Sequence, residues 1–148
     1  MGARLNPCPC GTGRDYAACC GRYHGGEPAP DAEALMRSRY SAFVTGDADY
    51  LRATWHPSTR PDEPLIDKNE KIQWLGLEIK SALRLRQRKV NLPEQVDQDT
   101  VEFVARFRVN GRAQRLHEIS NFVREPETPG GVPRWFYVDG SFPEQGSK

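Results

Sequence analysis

All four cysteines of this 148-residue chain lie in one short stretch, spaced Cys8-x-Cys10-x8-Cys19-Cys20. Two tight pairs across a short turn is the pattern of a closed tetrahedral metal site, and zinc is the ion expected there, held by Cys8, Cys10, Cys19 and Cys20. Other uses of cysteine fit less well. The adjacent Cys19 and Cys20 are an awkward disulfide pair. There is no Cys-x-x-Cys redox pair. The Gly- and Pro-rich surroundings cannot form much core, which argues against simply buried thiols. Pro7 and Pro9 stiffen the approach, and Gly11 and Gly13 permit the positive φ values that turn backbone amides towards thiolate sulfurs. Arg14 adds positive charge beside a negatively charged site, and His24 is a reserve ligand should Cys20 not bind. Four protein ligands leave no open position, so the ion is structural, and it contributes on the order of 10 kcal/mol to folding a segment too small to fold alone.

The rest of the chain supplies a domain with a core of its own. Its formal net charge is +1 and 28% of its residues are charged. So balanced a chain is not built for general electrostatic capture of nucleic acid or of a membrane surface. No run of about 18 apolar residues marks a membrane span. The opening MGARLNP has no apolar stretch of a secretory leader, and Asn6 stands where a myristoylation site wants Ser or Thr. A cytoplasmic location, where thiols stay reduced, is expected.

After the cysteine stretch, residues 25–30 read GGEPAP, a short linker. It divides the chain into an expected metal module over 1–25 and a larger domain over 31–143, two units expected to fold separately. Asp31 is placed to cap a helix over 32–44, with Met36, Tyr40, Phe43 and Val44 on one apolar face. Gly46 ends it, and Asp47 caps a second helix running to about Trp55. His56-Pro57 stops that one. Residues 57–70 predict a loop with a short helix near 64–71. Period-two alternation then predicts strands. Leu75, Leu77, Ile79, Ser81, Leu83 and Leu85 form one inward row, and Val101, Phe103, Ala105, Phe107 and Val109 form the cleanest stripe. Asn110-Gly111 is a hairpin turn, 115–124 the return strand and 135–138 the last. Helices followed by an antiparallel meander make an α+β fold.

Two resemblances refine this. Pro9-Cys10-Gly11, Gly13-Arg14, Tyr16 and Cys19-Cys20-Gly21 resemble the SEC-C zinc motif of the bacterial preprotein translocase ATPase and many other bacterial proteins. In the translocase that motif meets an export chaperone and the ribosome, so the resemblance implies a protein or ribosomal partner. The larger part resembles the YchJ-type family of bacterial proteins, a SEC-C motif followed by a nuclear-transport-factor-2-like domain. The residues that carry this are 35–43 (LMRSRYSAF), Asp49-Tyr50-Leu51, Thr54-Trp55-His56-Pro57, Trp74-Leu75-Gly76-Leu77, Val101-Glu102-Phe103, His117-Glu118-x-Ser120-x-Phe122 and Trp135-x-Tyr137-x-Asp139-Gly140. The resemblance implies a cone: a strongly bent antiparallel sheet wrapped against helices, with a cavity inside. It supplies no reaction. Many members carry a second SEC-C motif near the C-terminus, which the closing PEQGSK does not match.

Candidate cavity residues are Tyr40, Trp55, His56, Trp74, His117 and Glu118, with Arg37, Arg39 and Asp139 as further polar groups that could face the cone. His117 and Glu118 are neighbours on one strand, so they point to opposite faces and cannot act side by side. The inward one is expected to tie sheet to helix, for instance through Arg37 or Arg39, as buried polar groups are usually simply paired. His56 reads as a helix C-terminal cap. Trp135, Phe136 and Tyr137 read as packing. No hydrolase elbow, phosphate loop or dinucleotide fingerprint is present. The basic run Arg84, Arg86, Arg88 and Lys89 lacks the interleaved aromatics of an RNA surface and reads as a solvated edge. Three functions stay open at this point. The first is a zinc-binding adaptor whose cone is a scaffold or ligand pocket. The second is a small-molecule isomerase, dehydratase or hydrolase with His117 or His56 as base. The third is nucleic-acid contact through Arg4, Arg14 and Arg22.

Overall fold

A computed structural model of the chain describes residues 6–66, 70–82 and 97–143. The expected contributions of Arg4, of Leu83 and Leu85, of the basic run 84–89 and of the tail after residue 143 lie outside these residues.

Helix formation follows the capping residues. The Asp31 carboxylate accepts the Ala34 amide at 2.8 Å and starts the long helix Ala32–Thr45, which Gly46 closes in the left-handed conformation at φ 81°. The Asp47 carboxylate accepts the Tyr50 amide at 3.1 Å and starts Ala48–Ala53. With the short helix Cys20–His24 before them, these are α1 (Cys20–His24), α2 (Ala32–Thr45) and α3 (Ala48–Ala53). Asp31→Ala should lower stability by about 1 kcal/mol, the usual worth of such a cap, read from the urea midpoint. The described residues of the expected helix near 64–71 are not helical. The Arg52 guanidinium holds the chain in an irregular course here, donating to the carbonyls of Pro61 and Glu63 at 2.9 and 3.0 Å.

Four strands follow: β1 (Ile72–Ser81), β2 (Gln98–Val109), β3 (Arg112–Pro126) and β4 (Pro133–Ser141), all antiparallel neighbours in chain order. The mixed α+β architecture is as the sequence indicates. Asn110 and Gly111 both take positive φ, 52° and 87°, and join β2 to β3 in the tight hairpin that their sequence predicts. The stripe Val101, Phe103, Ala105 is fully buried and faces α2.

One inward row differs from expectation. Trp74 pairs with Phe107 and Gly76 with Arg106, so Leu75 is an extra residue in a β-bulge. The bulge resets the alternation. Trp74 before it and Leu77 and Ile79 after it share the inner face with Phe107, Ala105 and Phe103, while Leu75 is left 44% exposed. A second bulge sits between Ile79 and Ser81, and a third between Asn121 and Phe122, where β3 meets β4. These irregularities bend the sheet around α2. Its far edge is extended by the segment after α3, where Tyr137 N–H donates to the Thr54 carbonyl at 2.8 Å and His56 N–H to the Tyr137 carbonyl at 2.7 Å.

Candidate metal centre and cavity

The cysteine stretch is a miniature hairpin followed by a helix start. Cys8 N–H donates to the Arg14 carbonyl, and Tyr16 N–H to the Asn6 carbonyl, both at 2.8 Å. Gly11 and Gly13 take φ of 88° and 85° in the turn, a conformation costly for any residue with a Cβ. Asp15 then caps a single 3-10 turn over Tyr16–Ala18, and the chain reverses so that Cys19 and Cys20 meet the first pair at the start of α1. Gly21 is required at the reversal: a Cβ there would lie 2.8 Å from the Tyr16 carbonyl and 2.9 Å from its ring.

The four sulfurs all lie within 4.8 Å of one another and every cysteine is buried. Four thiolates around one first-row dication, with metal–sulfur bonds of about 2.3 Å, stand about 3.8 Å apart. The Cys10 and Cys19 sulfurs are 3.6 Å apart. The donor set therefore fits a tetrahedral ion. The charges agree, because four such thiols cannot all ionise beside one another unaided. Cys10 is drawn down to about 4 by the hydrogen bond from Cys20, helped by the Thr12 amide, while that same bond and then burial push Cys20 up. Burial also pushes Cys19 up. A cation among them makes four thiolates compatible.

His24 has other work. Its Nε2 donates to the Ser38 carbonyl at 2.8 Å, which leaves Nδ1 facing the Tyr16 hydroxyl at 2.5 Å. Both ring nitrogens are occupied, so the reserve role does not arise in this arrangement. Through these bonds the cysteine stretch is fastened to α2. Arg37 adds to it by donating from Nη1 to the Cys10 carbonyl at 2.9 Å, and Ser41 Oγ sits 3.5 Å from the Cys8 sulfur. The cysteines share one continuous core with Leu35, Met36, Tyr40, Phe103 and Phe122. The parts on either side of the GGEPAP linker therefore meet in a packed junction.

Inside the bent sheet lies a cavity of about 600 Å³. Tyr40, Trp55, Trp74 and Glu118, all expected there, belong to its wall, joined by Met36, Phe43, Phe103, Phe107 and Leu116. His56 and His117 do not belong to it. His56 Nε2 is 2.7 Å from Glu125 Oε2 and its Nδ1 is 2.7 Å from Ser58 Oγ. His117 pairs with Glu102 at 2.8 Å on the other face of the sheet, as the strand alternation requires once Glu118 faces in. Glu118 Oε2 accepts from Ser120 Oγ at 2.8 Å and from the Tyr137 hydroxyl at 2.9 Å. Burial, then the nearby Glu118 carboxylate, push the Tyr137 phenol up, so it stays a donor.

Above this pair, Arg39 is buried at 4% exposure. Its Nη1 donates to the Leu51 carbonyl at 2.8 Å and to Thr54 Oγ1 at 2.6 Å. Its guanidinium lies 4.7 Å from the Tyr137 ring centre and 5.3 Å from that of Trp55. Burial pulls it down to about 10, which still leaves a cation at neutral pH.

The model of the family "YchJ, middle NTF2-like domain" matches residues 31–140, and that of the SEC-C motif matches residues 6–22. The chain belongs to the YchJ-type family. A UPF0225 protein of Cupriavidus pinatubonensis is 53% identical over 140 residues, covering 93% of this chain and 90% of the relative. One of Bordetella pertussis is 52% identical over 138 residues, covering 90% of each. Two solved structures are similar throughout. A SEC-C motif containing protein from Rhodopseudomonas palustris has TM-score 0.68 and 33% identity, covering 93% of this chain and 98% of that one. A sec-c motif containing protein from Psychrobacter arcticus has TM-score 0.70 and 28% identity, covering 92% and 82%.

In this YchJ-type chain Arg39, expected among the polar groups that could face the cone, does belong to the wall, although it stands off the apolar stripe of α2. Sequence reading took Tyr137 as packing alone. A weak signal existed: Ser120 and Glu118 share a strand face, so two polar groups had to meet where a core was expected. Gly140 completes the set, since a Cβ there would lie 2.0 Å from Glu118 Oε2. Glu118→Ala should cost about 1–3 kcal/mol by leaving the Ser120 and Tyr137 hydroxyls without their acceptor, and His117→Ala on the half-exposed face less. Paired thermal melts check the order, and equal losses would contradict it.

Proposed function

We propose that the protein is a cytoplasmic adaptor that binds one structural zinc ion through Cys8, Cys10, Cys19 and Cys20. Its metal module presents a rigid surface to a protein or ribosomal partner, and the cone serves as a ligand pocket. The observation that carries this is the closed cluster of four buried sulfurs clamped to α2. A metal with no open position does no hydrolysis; it fixes shape. The shape fixed here is the turn over 11–14, which is exposed at all four residues. Reduced thiols in this cluster suit the cytoplasm, and among the described residues no helix is long and apolar enough to cross a membrane. The histidine-base reading of the cavity loses its ground, because neither His56 nor His117 belongs to the described wall.

Two measurements test the proposal. Metal analysis of the purified protein should give one zinc per chain, and full retention in Cys10→Ser and Cys19→Ser would overturn the ligand assignment. Ribosome co-sedimentation and affinity capture from a bacterial lysate should both be read with and without chelator. Partners that bind equally well after chelation would remove the metal module from the interface.

A further inference from the structure

The cavity floor holds more hydrogen-bonding capacity than the protein itself uses. Arg39 satisfies its neighbours with Nη1; among the described residues its Nε and Nη2 have no hydrogen-bond partner, and neither is fully sealed. Glu118 takes both of its hydrogen bonds on Oε2, and its Oε1 is likewise unpaired among the described residues and unsealed. Both residues belong to the cavity wall and both are more than nine-tenths buried. The rest of the wall is mostly aromatic and aliphatic, with Tyr40, Phe43, Trp74 and Phe107 among it.

Arg39 and Glu118 are the two buried charged groups of the wall and oppose each other in sign; Glu70, the other charged residue of the lining, is exposed. A carboxylate ligand could accept from Arg39, but its charge would then stand near the buried Glu118 side chain. An ammonium meets Arg39 in the same way. Like-charge contacts of this kind weaken binding. A wholly apolar ligand would dry both groups and satisfy neither. What fits is a planar uncharged group that offers one acceptor and one donor together.

From this floor we infer that the cone binds an uncharged ligand with an aromatic or aliphatic body and an amide-like head, its carbonyl accepting from Arg39 and its N–H donating to Glu118. The inference rests on the reading of the cone as a ligand pocket and names what that pocket selects. A volume of about 600 Å³ accommodates a body of ordinary metabolite size.

Four probes sharing one ring separate the possibilities: phenylacetamide, phenylacetate, phenethylammonium and ethylbenzene, each titrated into the full chain and followed by the indole N–H signals of Trp55 and Trp74. Phenylacetamide should bind at least about tenfold more tightly than either ion, as expected of a charge-balanced floor. Glu118→Gln keeps an oxygen for Ser120 and Tyr137 but removes the balancing charge, so preference should move to phenylacetate by about tenfold or more. Phenylacetate binding as well as the amide to the native protein would overturn the inference, and so would an unchanged ranking in Glu118→Gln. Should that variant fail to fold, the native ranking alone decides. Binding of all four probes without discrimination would sink the amide class and leave the pocket standing. Binding of none would sink both.

Discussion

Stripping the proposed metal from the cysteine site is expected to destabilise the whole domain, not the first 24 residues alone. The cysteines belong to the core that contains Leu35, Met36, Tyr40 and Phe103, and Arg37, Ser38 and Ser41 of α2 all bond to the cysteine stretch. Losing the ion would return four buried thiols to mutual competition and release the turn that Arg37 and His24 hold. Metal ligation in small modules of this kind contributes on the order of 10 kcal/mol. Because α2 also supports the sheet, a part of that loss should reach Trp74, which packs edge-on against Tyr40 with ring centres 5.5 Å apart. The measurement is a thermal melt with and without chelator, followed by tryptophan fluorescence. A midpoint lowered by ten degrees or more is expected, since about 1 kcal/mol moves a domain of this size by roughly 2–4 °C or more. An unchanged midpoint, with only the cysteine stretch disordered, would restore the picture of two independent units.

The second large effect should follow Arg39→Met. The side chain fits the space, yet the Leu51 carbonyl and the Thr54 hydroxyl lose their buried donor, and two aromatic faces lose their cation. Glu118 would then stand buried without a compensating charge. Removing one member of a buried charged set costs about 3–5 kcal/mol. Arg39→Lys keeps the charge but loses the flat guanidinium that lies over Tyr137 and Trp55, so it should recover only part of this. Urea midpoints of both variants decide the point. A loss below about 1 kcal/mol for Arg39→Met would mean that the guanidinium contributes little, and that Glu118 is supported by Ser120 and Tyr137 alone.

Much of this was readable from residues, and the misses have physical reasons. Ligand spacing identified the four sulfurs because metal chemistry acts at short range and is nearly independent of fold. Capping aspartates and Asn110-Gly111 identified element ends because their hydrogen bonds are local. Leu75 was misread because a bulge inserts one residue and inverts everything before it, and no local composition announces that. Trp74, not Leu75, thereby reaches the cavity. Which of His117 and Glu118 faces in was open for the same reason: alternation gives opposition, not direction. Arg39 was underestimated because burial of a guanidinium depends on Tyr137, nearly a hundred residues later in the chain. The contact between the two parts was hidden because docking bonds such as Arg37 to the Cys10 carbonyl leave no mark in the linker between them.

The bulged first strand and the segment added along the last one have a further consequence. An open sheet exposes two lines of unpaired amides and carbonyls, and these are templates for pairing with a second chain. Here Thr54 and His56 already occupy the Tyr137 backbone on one side. On the other side, the interruptions at Leu75 and Lys80 break the regular spacing that an incoming strand would need, and the turn at Gly11 lies close to the Leu77 carbonyl. The features that bend the sheet into a cone thus also guard it against self-association, and the cysteine turn is one of the guards. Loss of the metal would therefore uncover a sticky border as well as loosen the core, so aggregation should track the metal content of the preparation more closely than protein concentration.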